Sequence, residues 1–177
     1  MNLPNKLTLA RMIAVPFFIA AYLLGYYPVA LVIFVAASIT DYFDGNIARK
    51  QGLVTNFGKI MDPLADKILV YSALCLFIES DLIRAWMLIL ILAREFVVAG
   101  MRTVAASEGT VLAAGMSGKI KTVLQMVAVI LYLLALCLTD ARPTVITVAN
   151  IVFYASLVMT VYSGSEYVLK NRSVFSM

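Results

Sequence analysis

Histidine is absent from this chain, and cysteine occurs only twice. Cys75 and Cys137 each sit inside an apolar run, away from any CxxC spacing. They read as two small core residues, with no disulfide framework and no redox pair. Without imidazole or a thiolate pair, a zinc site has no ligands to draw on. Charge is scarce too: charged residues make up 14 % of the chain, and only 10 of its 177 residues are acidic. Met1 to Arg11 is weakly basic, but no clear small-residue cleavage site follows the first apolar run, so a cleavable signal peptide is not expected. Internal repeats and low-complexity tracts are missing. The length fits one domain, residues 1–177, and leaves no room for a separate soluble module.

What is abundant is apolar surface. Hydrophobic residues make up 63 % of the chain and the mean hydropathy is +0.95, against roughly 45–50 % apolar in a soluble domain. A chain this small cannot hide that much oil inside itself, so lipid is the expected solvent. A spanning helix needs about 20 mostly apolar residues, and six stretches qualify: 7–25, 28–49, 60–79, 83–106, 118–138 and 144–168. The predicted fold is all-α, a polytopic membrane protein with six transmembrane helices. Gly25 to Pro28, Glu79 to Asp81 and Thr139 to Pro143 mark three polar or turn-forming joints. The other two joints, 50–59 and 107–117, are richer in Gly, Ser and Thr.

The net charge of +4 matters less than its placement. Lys6, Arg11, Arg49, Lys50, Lys59, Arg102, Lys119, Lys121, Lys170 and Arg172 fall at one set of helix ends, and only Arg84 and Arg142 at the other. The positive-inside rule puts both termini and the 50–59 and 107–117 joints in the cytoplasm. Tyr22, Tyr26, Tyr27 and Trp86 then fall near the outer interface, as an aromatic belt would.

Against this background four aspartates stand out. Asp41 and Asp44 are three residues apart, and Asp62 and Asp66 four apart. Both spacings put a pair on one face of a helix. One pair lies near the cytoplasmic end of the second span, the other near the cytoplasmic start of the third. The short joint between those spans makes them antiparallel neighbours, so all four carboxylates can converge at one depth. Solvated charges at helix ends would account for one such pair, but hardly for two on adjacent helix ends in a chain so poor in acid. Ionised groups at membrane depth cost on the order of a few kcal/mol each, so a counter-charge is needed. With no His or Cys at hand, hard divalent cations with oxygen ligands, Mg²⁺ or Mn²⁺, are favoured. Two such ions about 4 Å apart would clamp both sides of a phosphoryl transfer. Gly45 beside the first pair lets a diphosphate approach the backbone, and Gly58 before the second lets two helices pack closely. Arg49, five residues after Asp44, can hold a phosphate at the same mouth.

Together these residues form Asp41-x-x-Asp44-Gly45-x-x-Ala48-Arg49, eight further residues, then Gly58-x-x-x-Asp62-x-x-x-Asp66. That long gapped pattern resembles the complete signature of the CDP-alcohol phosphatidyltransferases. Length and six-span layout also look like that family, over essentially the whole chain. The resemblance implies that Asp41, Asp44, Asp62 and Asp66 bind two metal ions, Mg²⁺ or Mn²⁺, and that Asp66 is the general base. It implies that Gly45, Ala48, Arg49, Thr55 and Gly58 line the cytidine diphosphate pocket of CDP-diacylglycerol, closed by Pro4 and Asn5. It also implies a homodimer in the cell membrane, with an active site reached from the cytoplasm. No nucleic acid partner is expected.

The acceptor alcohol rests on other residues. Arg94 lies inside the fourth span beside Glu95, and an intramembrane arginine is a functional candidate by default. Arg102 is two helical turns on, and Lys119 and Lys121 open the fifth span after Ser117 and Gly118. These four cations would suit an anionic acceptor carrying a phosphate; ordinary positive-inside lysines and snorkelling arginines are the competing account. The runs Ala93 to Phe96 and Ser117 to Thr122, with Pro4 to Arg11, resemble the glycerol-phosphate branch of the family. The expected reaction transfers a phosphatidyl group from CDP-diacylglycerol to sn-glycerol 3-phosphate with release of CMP. Inositol phosphate, serine and phosphatidylglycerol remain as other acceptors. A membrane prenyltransferase would leave Gly45, Ala48 and Arg49 unexplained. A cation transporter would place its acids nearer mid-membrane.

Overall fold

The computed structural model describes residues 3–51, 56–110, 112–113 and 115–172, and the side chains of 8–40, 64–65 and those from 67 onward within them. Six α-helices and no strand occur among the described residues: α1 (Leu3–Leu23), α2 (Tyr27–Gln51), α3 (Asn56–Glu79), α4 (Ala85–Ser107), α5 (Met116–Cys137) and α6 (Arg142–Lys170). Each falls within a few residues of an apolar stretch predicted from hydropathy. Pro4, Pro28 and Pro143 each occupy the second position of a helix, where the missing amide hydrogen has no intrahelical partner to lose. Three helices end in the same way. Gly25, Asp81 and Gly109 take positive φ of 77°, 56° and 74°. At each, the next amide donates back five residues, Tyr26 to Ala21, Leu82 to Phe77 and Thr110 to Ala105, at 2.8–2.9 Å. These are Schellman ends, which satisfy the last free carbonyls and stop the helix.

Among the described residues two helices, α5 and α6, are long and apolar enough to cross a membrane by length and composition. At 1.5 Å per residue they reach roughly 33 and 43 Å, against a hydrocarbon core of about 30 Å. Large apolar side chains stand exposed on every helix, among them Phe17, Val32, Ile68, Phe96, Val123 and Val158.

The chain divides into two compact units, residues 1–82 with 129–146, and residues 83–128 with 147–177. In the first, α1 packs along both α2 and α3, which touch one another far less among the described residues. A run of rings joins its helices. Phe34 meets Phe18 at 5.9 Å between centroids, Phe18 meets Tyr22 at 6.4 Å, Tyr22 meets Phe77 at 6.0 Å, and Phe77 meets Tyr132 of α5 at 5.2 Å. All five are essentially buried, and tilted rings at such distances add to plain area burial. Tyr22 is therefore no part of an interfacial belt: it is 5 % exposed, and its hydroxyl lies 2.8 Å from Ser80 Oγ. Tyr26 and Trp86 are exposed as the belt requires. Phe77→Ala removes a ring that touches two others and is fully buried. A loss of about 3–5 kcal/mol is expected, read as a lowered thermal midpoint of the purified protein in detergent.

In the second unit α6 presents Ala149, Phe153, Ser156, Thr160, Ser163 and Tyr167, all buried and spaced alternately by four and three. That is one helix face. Its hydroxyls bond back to the helix itself, Ser156 to Phe153 O and Thr160 to Ser156 O, each at 2.7 Å. Small, internally satisfied residues let neighbouring backbones approach closely. Of the two cysteines, both free, Cys137 is half-buried, whereas Cys75 lies on an exposed face of α3 and is no core residue.

Candidate active site

The four aspartates lie on two helices of the first unit, Asp41 and Asp44 on α2 and Asp62 and Asp66 on α3. Both pairs lie beyond the aromatic run. Asp41 is seven residues past Phe34, the run's ring on α2, so roughly 10 Å along the helix. Asp66 precedes the buried Phe77 by eleven residues, roughly 16 Å along α3. The joint between the helices, 52–55, is short, so the two pairs occupy the ends of α2 and α3 that this joint connects. The side chains of Asp41, Asp44, Asp62 and Asp66 lie outside the described residues, as do those of Pro4, Asn5, Gly45, Ala48, Arg49 and Gly58 and the whole of Thr55. Next to Asp66, Ala65 is fully buried and Leu69 is 2 % exposed, which anchors that part of α3. Thr8 and Arg11 on α1 are 3 % and 4 % exposed, and both have partners. In the sequence Arg11 counts as one cytoplasmic cation and as the end of the Pro4 to Arg11 segment, with no role of its own. Burial of an always-charged guanidinium in the unit that carries the four carboxylates makes it a site candidate, and its place in Thr8-x-x-Arg11 was the available signal.

The four cations expected at the acceptor all belong to the second unit, and they do not form one cluster. Arg94 of α4 donates from Nη1 to Glu95 Oε1 at 2.9 Å, and Lys121 of α5 donates from Nζ to the same oxygen at 2.5 Å. All three side chains are largely buried, at 14 %, 11 % and 6 % exposure for Arg94, Glu95 and Lys121. Arg102 instead turns to α6. Its Nε donates to Tyr167 Oη at 3.1 Å, and its guanidinium carbon lies 5.4 Å from that ring's centroid. Lys119 is exposed. Residues two apart on a helix point to different sides, so Lys119 and Lys121 cannot share one partner on α4.

Glu95 stands out in the sequence only as a neighbour of Arg94; the structure makes it the side chain on which two cations meet. Two more residues, Glu166 and Tyr167, escaped sequence reasoning. Ser117 Oγ donates to Glu166 Oε2 at 2.6 Å, and Lys170 Nζ donates to Glu166 Oε1 at 2.5 Å. Tyr167 packs with Val98, Met101 and Ala105 of α4. Glu95–Lys121, Ser117–Glu166 and Arg102–Tyr167 thus tie α4 to α5, α5 to α6 and α4 to α6. The available signal was Gly164-Ser165-Glu166, a polar break in an otherwise apolar helix.

Glycine makes the room for Arg94. A Cβ built on Gly164 would stand 2.8 Å from Arg94 Cγ, and one on Gly118 would stand 3.1 Å from Arg94 Nη2. The arginine stem also borders an apolar groove of about 550 Å³ between α4 and α6, walled by Leu90, Val97, Val161 and Val168. Its Nε is buried with no hydrogen-bond partner among the described residues. The head group is thus held at Nη1 by Glu95 and keeps donor capacity in reserve. A partly buried guanidinium and ammonium that meet on one carboxylate, with donor capacity left on the arginine, suit a bound phosphate.

Comparison with known proteins gives this arrangement a family. The sequence model of the CDP-alcohol phosphatidyltransferases matches residues 1–162, spanning parts of both units. A Bacillus subtilis protein named CDP-diacylglycerol–glycerol-3-phosphate 3-phosphatidyltransferase is 44 % identical over 187 residues, covering 96 % of this chain and 95 % of its own. A Rickettsia felis protein of the same name is 37 % identical, covering 98 % and 97 %. A probable phosphatidylglycerophosphate synthase of Mycobacterium tuberculosis is 40 % identical over 96 % of this chain and 81 % of its own. The chain belongs to the CDP-alcohol phosphatidyltransferase family.

Proposed function

We propose that this enzyme transfers the phosphatidyl group of CDP-diacylglycerol to sn-glycerol 3-phosphate, giving phosphatidylglycerophosphate and CMP. Near-full-length similarity to relatives bearing that activity in their names, at up to 44 % identity, is the observation that carries it. The first unit supplies the donor chemistry. An all-oxygen set of four carboxylates, in a chain without histidine, fits two hard divalent cations, Mg²⁺ or Mn²⁺. Held by Asp41, Asp44, Asp62 and Asp66, such ions would neutralise the diphosphate. Gly45, Ala48, Arg49, Thr55 and Gly58, with Pro4 and Asn5, bind the cytidine diphosphate head.

Asp66 takes the proton from the acceptor hydroxyl. The hydroxyl oxygen forms its bond to the β-phosphorus as the bond from that phosphorus to the CMP oxygen breaks. The leaving negative charge is met by Arg49. No covalent enzyme intermediate is needed. The second unit supplies the acceptor chemistry: Arg94 and Lys121 hold the phosphate of glycerol 3-phosphate as a buried pair, and the more exposed Arg102 and Lys119, outside that pair, draw the anionic acceptor towards it.

The protein sits in the cell membrane with six spans, both termini and the active site cytoplasmic, and acts as a homodimer. Exposed apolar side chains along all six helices and the one-sided distribution of Lys and Arg support the spans and the orientation. The test is the purified protein with CDP-diacylglycerol, Mg²⁺ or Mn²⁺ and labelled glycerol 3-phosphate. CMP and a labelled lipid product are expected in equal amounts. Preference for serine, inositol phosphate or phosphatidylglycerol in a parallel panel would replace the acceptor; metal flux into liposomes without CMP would overturn the enzyme.

A further inference from the structure

We propose that Glu95 is a positioning residue that presets the acceptor-phosphate site, holding Arg94 and Lys121 at one spacing before any phosphate arrives. This rests on the assignment of those two cations to the acceptor. The geometry is specific. One carboxylate oxygen receives Arg94 Nη1 at 2.9 Å and Lys121 Nζ at 2.5 Å. The two nitrogens therefore stand no more than about 5.4 Å apart, close enough for both to reach one phosphate. Like charges at that separation repel, and both side chains are held in the protein: Lys121 is 4 % exposed, while the arginine lies close against Gly118 and Gly164. A carboxylate between them is what keeps both in place.

Glu95 does not cancel the site. The Nε of Arg94 remains buried with no hydrogen-bond partner among the described residues, which leaves the guanidinium donor capacity for an anionic phosphate. Pre-ordering the donors spares the substrate the cost of arranging them, which appears as affinity for that substrate alone.

The experiment compares Glu95→Gln with the wild-type enzyme, with Arg94→Gln and Lys121→Gln in parallel and Glu108→Gln, at the exposed end of α4, as control. Glutamine keeps the size and one acceptor oxygen but removes the charge. KM for glycerol 3-phosphate is expected to rise about tenfold or more in Glu95→Gln, the scale of one charge-assisted hydrogen bond. KM for CDP-diacylglycerol should stay within twofold, and Glu108→Gln should match the wild type. A merely structural role would move both KM values or only the thermal midpoint, and would overturn the proposal. A lower KM for glycerol 3-phosphate would also overturn it, since Glu95 would then compete with the substrate. If Arg94→Gln and Lys121→Gln leave the acceptor KM unchanged, the assignment of the cations fails, and the proposal with it. If they raise it and Glu95→Gln does not, the proposal alone fails.

Discussion

Asp66→Asn is expected to lower kcat by about 10³–10⁴-fold, with the thermal midpoint in detergent nearly unchanged. Asparagine keeps the size of the side chain and the helix, and the flanking Ala65 and Leu69 remain packed. What it loses is a full charge and the ability to take a proton. A positioned general base is worth roughly 10²–10⁴ in rate. Loss of a carboxylate from the metal set adds to that, so the measured value belongs in the upper part of the range. Initial rates of CMP release, at saturating donor and acceptor and over a titration of Mg²⁺ and Mn²⁺, separate the two roles. A variant restored by more metal would lose a ligand but not a base. A variant with more than a tenth of wild-type kcat at ordinary metal would remove Asp66 from the chemistry altogether.

The second large effect is expected at a residue with no side chain. Gly164→Ala places a Cβ 2.8 Å from Arg94 Cγ, inside any real contact distance. Cγ belongs to the stem of the arginine, so the whole side chain has to move, and with it the bond to Glu95. Overpacking of this kind costs about 1–3 kcal/mol. The gain from replacing glycine by alanine within a helix is about 0.5–1 kcal/mol, so the clash wins. A lower thermal midpoint and a rise of about tenfold in KM for glycerol 3-phosphate are expected together. Gly118→Ala should be milder, because its Cβ would meet Nη2 at 3.1 Å, the far end of a flexible side chain. Gly100→Ala meets nothing within 4 Å and should be neutral or slightly stabilising. An inverted order, with Gly100→Ala the most damaging, would show that Arg94 does not fill that slot.

These two sites differ in how much of each a linear reading of the chain can disclose. The aspartates are legible because their information is local. A spacing of three or four residues on a helix needs no tertiary contact to define a face, and a charge in an apolar chain advertises its own cost. Helix ends are legible for the same reason: Pro28 and Pro143 open helices, and Gly25 and Gly109 close them. Asp81, a non-glycine residue at positive φ, carries no comparable signal. Of the aromatics expected at the outer interface, Tyr26 and Trp86 are exposed and Tyr22 is buried. A tyrosine near a helix end looks the same in the sequence whether it faces outward or meets a serine on another helix. Cys75 misleads similarly: an apolar run does not say which of its faces is buried.

The acceptor cations mark where local reasoning stops. Lys119 and Lys121 look equivalent in the sequence, yet one is exposed and the other buried on Glu95. Arg94 and Arg102 share a face of α4, yet one pairs with an acid and the other with Tyr167. By itself the sequence determined the six helices, the family and the aspartate pairs, because periodicity, hydropathy and spacing are properties of one chain segment at a time. Only the tertiary structure decided which cation meets which acid and which glycines make room for it. Those choices depend on residues up to 70 positions apart, as Arg94 and Gly164 are, brought against one another, and no local pattern encodes such a distance.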